Sequence, residues 1–186
     1  GDPMWAENCE DVAFNSYPAA VMPDFKALRY ITAPNMVQSD SENHRPGIDN
    51  GGPFLAMNPF SSRCCQHNHT QGWPYYSENL VYATPDDGMA FVLYAACSAT
   101  VKVGDGKQFV VKETTNYPFD DTVQLSFTKG TACRFPLYLR IPSWSDGAEV
   151  TVNGVPAEVA PVSGRYYRIE RQWRKGDSVT LHLHPR

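Results

Sequence analysis

The sequence predicts a mainly β protein, in which an antiparallel β-sandwich follows a segment of helices and loops. Three observations support this class. Short runs of alternating apolar and polar residues are frequent after residue 88, turn residues separate these runs, and helical periodicity is confined to the part before them. Many short strands at this spacing are typical of a sandwich. We therefore expect two domains, residues 1–85 and residues 86–186.

A first helix is predicted from Pro3 to about Asn15, with Asp2 as its N-cap and Pro3 at the first helical position. The apolar residues that share one face at helical spacing are Trp5, Cys9, Val12 and Ala13. This pattern predicts that Cys9 is a core cysteine. Pro18 and Pro23 are expected to end the helical region.

A long loop is predicted from residue 34 to residue 63, because Asn, Ser, Asp, Gly and Pro dominate there. It leads directly into Cys64 and Cys65, which we expect to lie in the same loop. Loops of this length in compact proteins usually have a function. A short extended segment is expected at 25–33, and a second helix at 74–83.

The predicted strands of the sandwich share alternating apolar residues and flanking turn residues such as Asn153-Gly154. They are Ala90–Ala95, Ala99–Val103, Gln108–Glu113, Thr122–Phe127, Leu137–Ile141, Glu149–Val152, Tyr166–Glu170 and Ser178–His182.

Composition excludes several classes of protein. Hydrophobic residues make up 42% and charged residues 19%, which is typical of a globular chain. The net charge is −4 without a basic run, so nothing favours nucleic acid or an anionic membrane as a partner. The longest apolar stretch, 89–97, is too short to span a bilayer. The five cysteines have no disulfide-framework spacing.

The adjacent pair Cys64-Cys65 is the sharpest chemical feature. A thiolate is both a good nucleophile and a soft zinc ligand. Two buried structural cysteines are the alternative, although the polar neighbours of the pair argue against it. His67 and His69 follow closely, so a self-contained zinc site is a further alternative. Glu7-Asn8-Cys9 offers another ligand pair, for which a core cysteine is the favoured interpretation.

Paired carboxylates are candidate catalytic groups, because one can act as a general acid and the other as a general base. The acids that flank the cysteine pair stand in no distinctive motif and are interpreted as solvated loop residues. These acids are Asp40, Glu42, Asp49, Glu78, Asp86 and Asp87.

The stretch from Cys64 to Pro74, CCQHNHTQGWP, resembles the Cys-Cys-x-x-Asn-x-x-Gln-Gly-Trp-Pro signature of the β-L-arabinofuranosidases, glycoside hydrolase family 127. Residues 13–19, AFNSYPA, are similar to the family's Ala-Phe-Asn-x-x-Pro-Ala segment. Residues 135–144 are similar to its sandwich strand, and Val152-Asn153-Gly154 and 167–177 to its closing hairpins. These stretches follow the family's order along nearly the whole chain.

The resemblance implies an (α/α)-barrel catalytic domain, of which residues 1–85 are the helical and loop remnant, followed by a β-sandwich. It implies that Cys64 is the nucleophile of a retaining hydrolase that forms a thioglycosyl intermediate. It also implies that Cys64 and Cys65 bind Zn²⁺ together with a Glu and a Cys from an earlier Glu-x-Cys motif, while a separate glutamate is the acid/base. Tyr30 matches a tyrosine that contacts sugar in the family, or is a strand aromatic that packs on the barrel.

Alignment through residues 13–15 places the family's Glu-x-Cys motif, and its acid/base, before residue 1. Glu7-Asn8-Cys9 is therefore not expected to be the ligand pair. We expect the chain to be a C-terminal portion that is inactive in isolation. His67 and His69 differ from the residues usual in the family, so the resemblance does not identify which sugar is the substrate.

Three functions follow from these observations: a retaining glycoside hydrolase of plant-glycan degradation, a non-catalytic carbohydrate-binding or structural sandwich module, and a small zinc domain. The expected partner is an arabinose-containing oligosaccharide or glycan. Apolar residues on the first helix, Trp5 and Val12, predict self-association. The sequence leaves open a periplasmic, secreted or cytoplasmic location in a glycan-degrading bacterium.

Overall fold

The computed structural model describes residues 1–25, 28–29, 55–56 and 63–185, with the backbone alone at 29, 55–56 and 63–66. The chain divides into two compact units. One contains residues 9–76. The other contains residues 1–8 together with residues 77–186. The predicted domain boundary at residues 85–86 stays a prediction.

The helical elements lie before residue 79. They are α1 (Pro3–Asp11), a π-helix (Val12–Ser16), α2 (Tyr17–Ala19), α3 (Arg63–Thr70) and α4 (Gly72–Glu78). Two short strands, β1 (Leu28–Arg29) and β2 (Leu55–Ala56), pair antiparallel between them. The backbone N–H of Met4 donates to the Asp2 carboxylate at 3.0 Å, which confirms Asp2 as the N-cap of α1. In the part of the chain that is described, no helix is both long and apolar enough to cross a membrane.

The remaining strands form two sheets. They are β3 (Val81–Ala83), β4 (Met89–Phe91), β5 (Cys97–Val103), β6 (Lys107–Thr115), β7 (Thr122–Lys129), β8 (Cys133–Ile141), β9 (Glu149–Val152), β10 (Val155–Pro156), β11 (Arg165–Trp173) and β12 (Ser178–His182). The six-stranded sheet has the order β10-β9-β12-β7-β6-β5 and the four-stranded sheet the order β11-β8-β4-β3. All pairs are antiparallel except β4 with β8.

The two sheets share one hydrophobic core, so they form a sandwich. Alternate residues of β7, such as Val123 and Leu125, are buried, as the period of two requires. Across the sheets, the ring of Phe127 in β7 stacks on Trp173 in β11 with centroids 4.7 Å apart. Within the four-stranded sheet, the Trp173 indole N–H donates to the carbonyl of Phe135 in β8 at 3.1 Å. The predicted mainly β fold with an antiparallel sandwich is therefore confirmed.

Each predicted sandwich strand has an observed counterpart. Five are longer than predicted and two have the predicted bounds, whereas the strand predicted at Ala90–Ala95 is shorter, since β4 ends at Phe91. The Asn153-Gly154 turn between β9 and β10 also forms, with φ values of 52° and 77°. Both values lie in the left-handed region that a tight hairpin requires and that Asn and Gly adopt most readily.

The face predicted for the first helix is wrong for three of its four residues, since of these Ala13 alone is buried. Trp5 is 70% exposed and Val12 54% exposed, whereas the buried residues are Ala6, Glu10 and Ala13. Cys9 is exposed and is not the predicted core cysteine. The buried residues Ala6, Glu10 and Ala13 also follow helical spacing, at i, i+4 and i+7, so the spacing alone does not select the buried face.

Helix α4 is shorter than the predicted helix at 74–83. It ends at Glu78, and Val81 instead pairs with Phe91 of β4. A long-range strand partner therefore overrides the local helical pattern. Of the loop predicted at 34–63, the structure describes only Leu55, Ala56 and Arg63. The other residues of this loop, and Tyr30, lie outside the described residues.

Candidate active site

An aromatic cluster joins the two stretches that resemble the family's motifs. Within the unit of residues 9–76, Phe14 and Tyr17 come from the first stretch, whereas His69 and Trp73 come from the second. Trp73 makes edge-to-face contacts with Tyr17 at 5.3 Å and with Tyr76 at 5.9 Å, measured between ring centroids. Phe14 meets Tyr76 in the same way at 5.7 Å. Such pairs are the favoured arrangement of aromatic rings.

Tyr17 and His69 form a reciprocal pair at the centre of this cluster. The Tyr17 hydroxyl donates to the His69 carbonyl, and the His69 Nε2 lies 3.0 Å from the Tyr17 carbonyl oxygen. Because a carbonyl oxygen accepts only, Nε2 carries the proton and donates. Their rings also stack, with centroids 4.2 Å apart. The pair therefore fixes the last turn of α3 against the segment around residue 17.

The glycine of the CCQHNHTQGWP stretch, Gly72, occupies a position where no side chain fits. A Cβ atom at this position would lie 2.5 Å from Cε2 and Cζ of the Tyr17 ring. The optimal separation of two non-bonded carbon atoms is about 3.5–4.0 Å, so a Cβ atom here would overlap the ring. A glycine is therefore required at the start of α4 for Tyr17 to occupy this place.

The C-terminal carbonyl groups of α3 find partners outside the regular helix. The His67 carbonyl accepts from the Thr70 hydroxyl at 2.9 Å, the Asn68 carbonyl accepts from the Gln71 N–H at 3.2 Å, and the His69 carbonyl accepts from Tyr17. These bonds satisfy groups that a helix leaves unpaired at its end. They stabilise α3 at the end opposite to Cys64 and Cys65.

Cys64 and Cys65 lie in the first turn of α3, so the predicted loop around them is wrong. The signal that misled was the polar composition of the preceding stretch. The helix is fixed by contacts with Tyr17, which lies 52 residues earlier and is invisible to a local pattern. On a helix, positions 65 and 69 lie one turn apart, a spacing that bears on the self-contained zinc site. His69, however, already donates through Nε2 to Tyr17.

The Glu7 carboxylate is engaged in a structural contact. Its Oε1 accepts from the Ser143 N–H at 2.7 Å, and its Oε2 accepts from the Ser143 hydroxyl at 2.6 Å. Both partners belong to the unit that contains the sandwich. Two charge-assisted hydrogen bonds occupy this carboxylate and give Glu7 a role that does not involve Cys9.

Glu113 is an acid whose pKa is raised to about 8, chiefly by burial. A carboxyl that is protonated near neutrality suits a general acid. However, the residue is 1% exposed, and its carboxyl faces the Ala95 N–H at 3.2 Å and the Cys97 thiol at 3.6 Å inside the sandwich. Glu113 cannot reach a substrate from this position, so its role is structural.

Asp86 lies in a cleft of about 640 Å³ within the sandwich unit, whose lining includes Tyr82, Tyr138 and Tyr166. Hydrogen bonds from Thr84 and Tyr138 hold its pKa below the usual value. The Tyr138 hydroxyl donates to Asp86 Oδ2 at 2.5 Å. Asp86 is therefore an acceptor rather than a proton donor at neutral pH. The sequence did not indicate these tyrosines, because they come from three separated strands.

Comparisons with known proteins agree with the motifs. Residues 1–78 match the GH127 catalytic domain of β-L-arabinofuranosidases, and residues 88–185 match the GH127 middle domain. Among curated proteins, none matches the chain.

Solved structures are also similar to this chain. One, a glycoside hydrolase, has a TM-score of 0.80 at 27% identity. A GH127 β-L-arabinofuranosidase from Geobacillus stearothermophilus T6 has a TM-score of 0.74 at 26% identity. A further GH127 β-arabinofuranosidase has a TM-score of 0.74 at 25% identity. The matches cover 98% of this chain but only 28–29% of those proteins.

The ordered motifs, the sandwich fold and the matches to both domains agree along the chain. The chain belongs to the β-L-arabinofuranosidase family GH127, a family of glycoside hydrolases.

Proposed function

We propose that this chain supplies the nucleophile of a retaining hydrolase that acts on β-L-arabinofuranosides in plant glycans. Cys64 is the nucleophile and a zinc ligand, and Cys65 is a second ligand. The observation that carries the proposal is the position of both residues in the first turn of α3. Membership of the family and the match of residues 1–78 to its catalytic domain support it.

The first turn of a helix favours an anion. Its backbone N–H groups lack helical partners, and the helix dipole places partial positive charge there. Cysteines at helix N-termini accordingly ionise more readily than free cysteine. The position of Cys64 therefore favours the thiolate, which is the form that attacks carbon.

The donors at positions 64 and 65 fit zinc. Thiolates are soft ligands that zinc accepts readily. Both cysteines lie in the first turn of α3, and Tyr17 holds the other end of this helix through His69. Zinc, when bound, would keep both cysteines deprotonated at neutral pH. We propose that its remaining ligands are a Glu and a Cys of a Glu-x-Cys motif, as the family resemblance implies.

The proposed chemistry has two steps. The Cys64 sulfur forms a bond to the anomeric carbon while the bond from that carbon to the leaving oxygen breaks, and a carboxylic acid protonates that oxygen. Water then displaces the sulfur, losing its proton to the same carboxylate, so that the configuration is retained. Glu113 and Asp86 do not fill the acid/base role, because the first is enclosed and the second is ionised. Tyr30 remains a proposed sugar contact.

The experiment is a turnover assay on an aryl β-L-arabinofuranoside. In the natural gene product, Cys64→Ser should reduce kcat by a factor on the order of 10³ or more. Cys9→Ser, which changes an exposed cysteine, is the matched control and should retain activity. Mass spectrometry of a trapped intermediate should place the glycosyl group on the peptide with Cys64. Normal turnover by Cys64→Ser would exclude this residue as the nucleophile.

We also propose that these 186 residues do not turn over substrate on their own. In the family pattern, the acid/base glutamate and two zinc ligands, the Glu and the Cys of the Glu-x-Cys motif, come before the segment that these residues match. The same assay on this chain should therefore give no product above buffer. Release of the aryl group by the isolated chain would contradict this part of the proposal.

A second candidate function is carbohydrate binding by the sandwich, which the Asp86 cleft favours. Tyrosine rings stack on sugar faces, and an ionised carboxylate accepts hydrogen bonds from sugar hydroxyl groups. An arabino-oligosaccharide should then bind the sandwich without cleavage, and Tyr138→Ala should weaken binding. Tyr75→Ala, at an exposed tyrosine of α4, is the control. Equal binding by both variants would reject this second function.

A further inference from the structure

Two histidines and an aspartate lie together on the sandwich, in a place that the proposed arabinofuranosidase chemistry does not use. His182 ends β12, His184 follows it by two residues, and Asp121 precedes β7, the neighbouring strand. Leu181 and Leu183 are buried, whereas both histidines are partly exposed. The period of two therefore places both imidazoles on the outer face of the six-stranded sheet.

The imidazole nitrogen atoms converge. Nδ1 of His182 lies 3.2 Å from Nε2 of His184, and the two rings are nearly perpendicular at 87°. Zinc–nitrogen bonds are about 2.0–2.1 Å, so two nitrogen ligands of a tetrahedral ion lie about 3.3 Å apart. The observed separation already matches this spacing without movement of the backbone.

Asp121 orients the first of these histidines. Its Oδ1 lies 3.0 Å from Nε2 of His182, on the side of the ring away from His184. With Nε2 donating to the carboxylate, Nδ1 is left as the lone-pair nitrogen that faces His184. A carboxylate that holds the outer nitrogen of a histidine is the usual support of a metal-binding imidazole.

The backbone that carries the three side chains is fixed. The Leu183 N–H donates to the Asp121 carbonyl at 2.8 Å, and the His184 N–H donates to the Ser145 hydroxyl at 3.3 Å. Glu149 pairs directly with His182 across β9 and β12, so it lies on the same face and adds negative charge. A fixed, acidic surrounding lowers the cost of assembling ligands around a cation.

We propose that His182 and His184 bind a divalent transition-metal ion such as Zn²⁺, with Asp121 as the residue that positions His182. One potential ligand atom from each of these three residues lies within 4.8 Å of the others. Imidazole nitrogen suits Zn²⁺, Ni²⁺ and Cu²⁺ better than Mg²⁺ or Ca²⁺. The site is independent of Cys64 and Cys65, since it lies wholly within the sandwich unit.

The test is a Zn²⁺ titration of the full chain in a Cys64→Ser, Cys65→Ser background without an affinity tag, followed by calorimetry and by imidazole NMR signals. One ion per chain should bind, with the signals of His182 and His184 shifting together. His182→Ala and His184→Ala should each weaken binding by about tenfold or more, and Asp121→Asn by about 10–100-fold. Thr180→Ala, on the same outer face, should bind as the parent does.

A parallel titration with Co²⁺ separates this site from a thiolate site, because sulfur ligands give strong near-ultraviolet charge-transfer absorption and nitrogen ligands do not. The expected spectrum lacks that absorption. Far-ultraviolet circular dichroism without metal checks that each variant is folded. Unchanged Zn²⁺ affinity in the folded double variant His182→Ala, His184→Ala would overturn the proposal, and the three residues would then be a hydrogen-bonded chain only.

Discussion

The imidazole of His69 lies parallel to the ring of Tyr17, with the two planes within 2° of each other. Each side chain also donates a hydrogen bond to the backbone carbonyl of the other. The first residue belongs to the stretch that contains the cysteine pair, and the second to the AFNSYPA stretch. The relationship gives the two motifs a common structural purpose, which is to fix α3.

Removal of this pair should loosen α3. Tyr17→Phe deletes one hydrogen bond and keeps the ring, so the free energy of unfolding should fall by about 1 kcal/mol. His69→Ala deletes the stacking contact and a second hydrogen bond, and should lower it by about 1–2 kcal/mol. Urea unfolding followed by tryptophan fluorescence measures both, since Trp73 contacts Tyr17. His67→Ala, at an exposed position of the same helix, should change it by less than about 0.5 kcal/mol.

Gly72→Ala should destabilise the chain by about 1–3 kcal/mol, because the new methyl group overlaps the Tyr17 ring. The cause can be isolated by a double-mutant cycle with Tyr17→Ala. Without the ring, Gly72→Ala should be neutral or stabilising, since alanine favours a helix more than glycine does. An equal loss in both backgrounds would show that the ring is not the reason for the glycine.

Glu113 should make stability fall as the pH rises. Its pKa is about 8 in the folded chain, above the ordinary value of 4.5, so the folded state binds the proton more tightly. The resulting stabilisation is fully present below about pH 4.5 and is lost as the pH rises through about 8. Urea unfolding across this range should show the loss in the natural chain and a flatter profile in Glu113→Gln. Glu158→Gln, at an exposed glutamate, should leave the profile unchanged.

The cysteines should differ in reactivity. Burial, first of all, raises the pKa of the Cys97 thiol to about 12, so the thiol is protonated at neutral pH, and Cys133 is buried. Iodoacetamide should therefore modify the exposed Cys9 well before either of them, as peptide mass spectrometry would report. Cys64 should react faster than Cys9 without metal, and Zn²⁺ should slow it. Slow modification of Cys64 in the metal-free chain would argue against a thiolate at that position.

Self-association is expected through the apolar residues of α1. Met4 and Trp5 are 47% and 70% exposed, and exposed apolar residues that lie together favour a partner. Sedimentation should show oligomers at high concentration, and Trp5→Ser should shift them toward monomer. A natural chain that sediments as a monomer at every concentration would contradict this expectation.

The sequence predicted the sandwich well because its signal is local. Alternation in segments such as Thr122–Lys129 follows directly from one buried and one exposed face of a sheet. The sequence pattern predicted the buried face of the first helix less well. A face defined by Trp5 and Val12 satisfies helical spacing as well as the buried face defined by Ala6 and Glu10, so periodicity alone could not choose between them.

The candidate site shows the same division. The chemical character of Cys64 and Cys65 was evident from their adjacency, whereas their helical position depends on the contact between His69 of the same helix and Tyr17, 52 residues before it. The cleft beside Asp86 and the contact of Asp121 with His182 form only when separate strands align. Such juxtapositions arise from sheet register, which single-sequence patterns do not specify.

The two hydrogen bonds between Glu7 and Ser143 also bear on the order in which the molecule assembles. These residues are 136 positions apart, so their contact closes a very long loop. Closure of such a loop costs conformational entropy that only other native contacts can offset. During synthesis, Glu7 is made 136 residues before Ser143, so its carboxylate has no access to this partner until then. We therefore expect the contact between Glu7 and Ser143 to form late in folding.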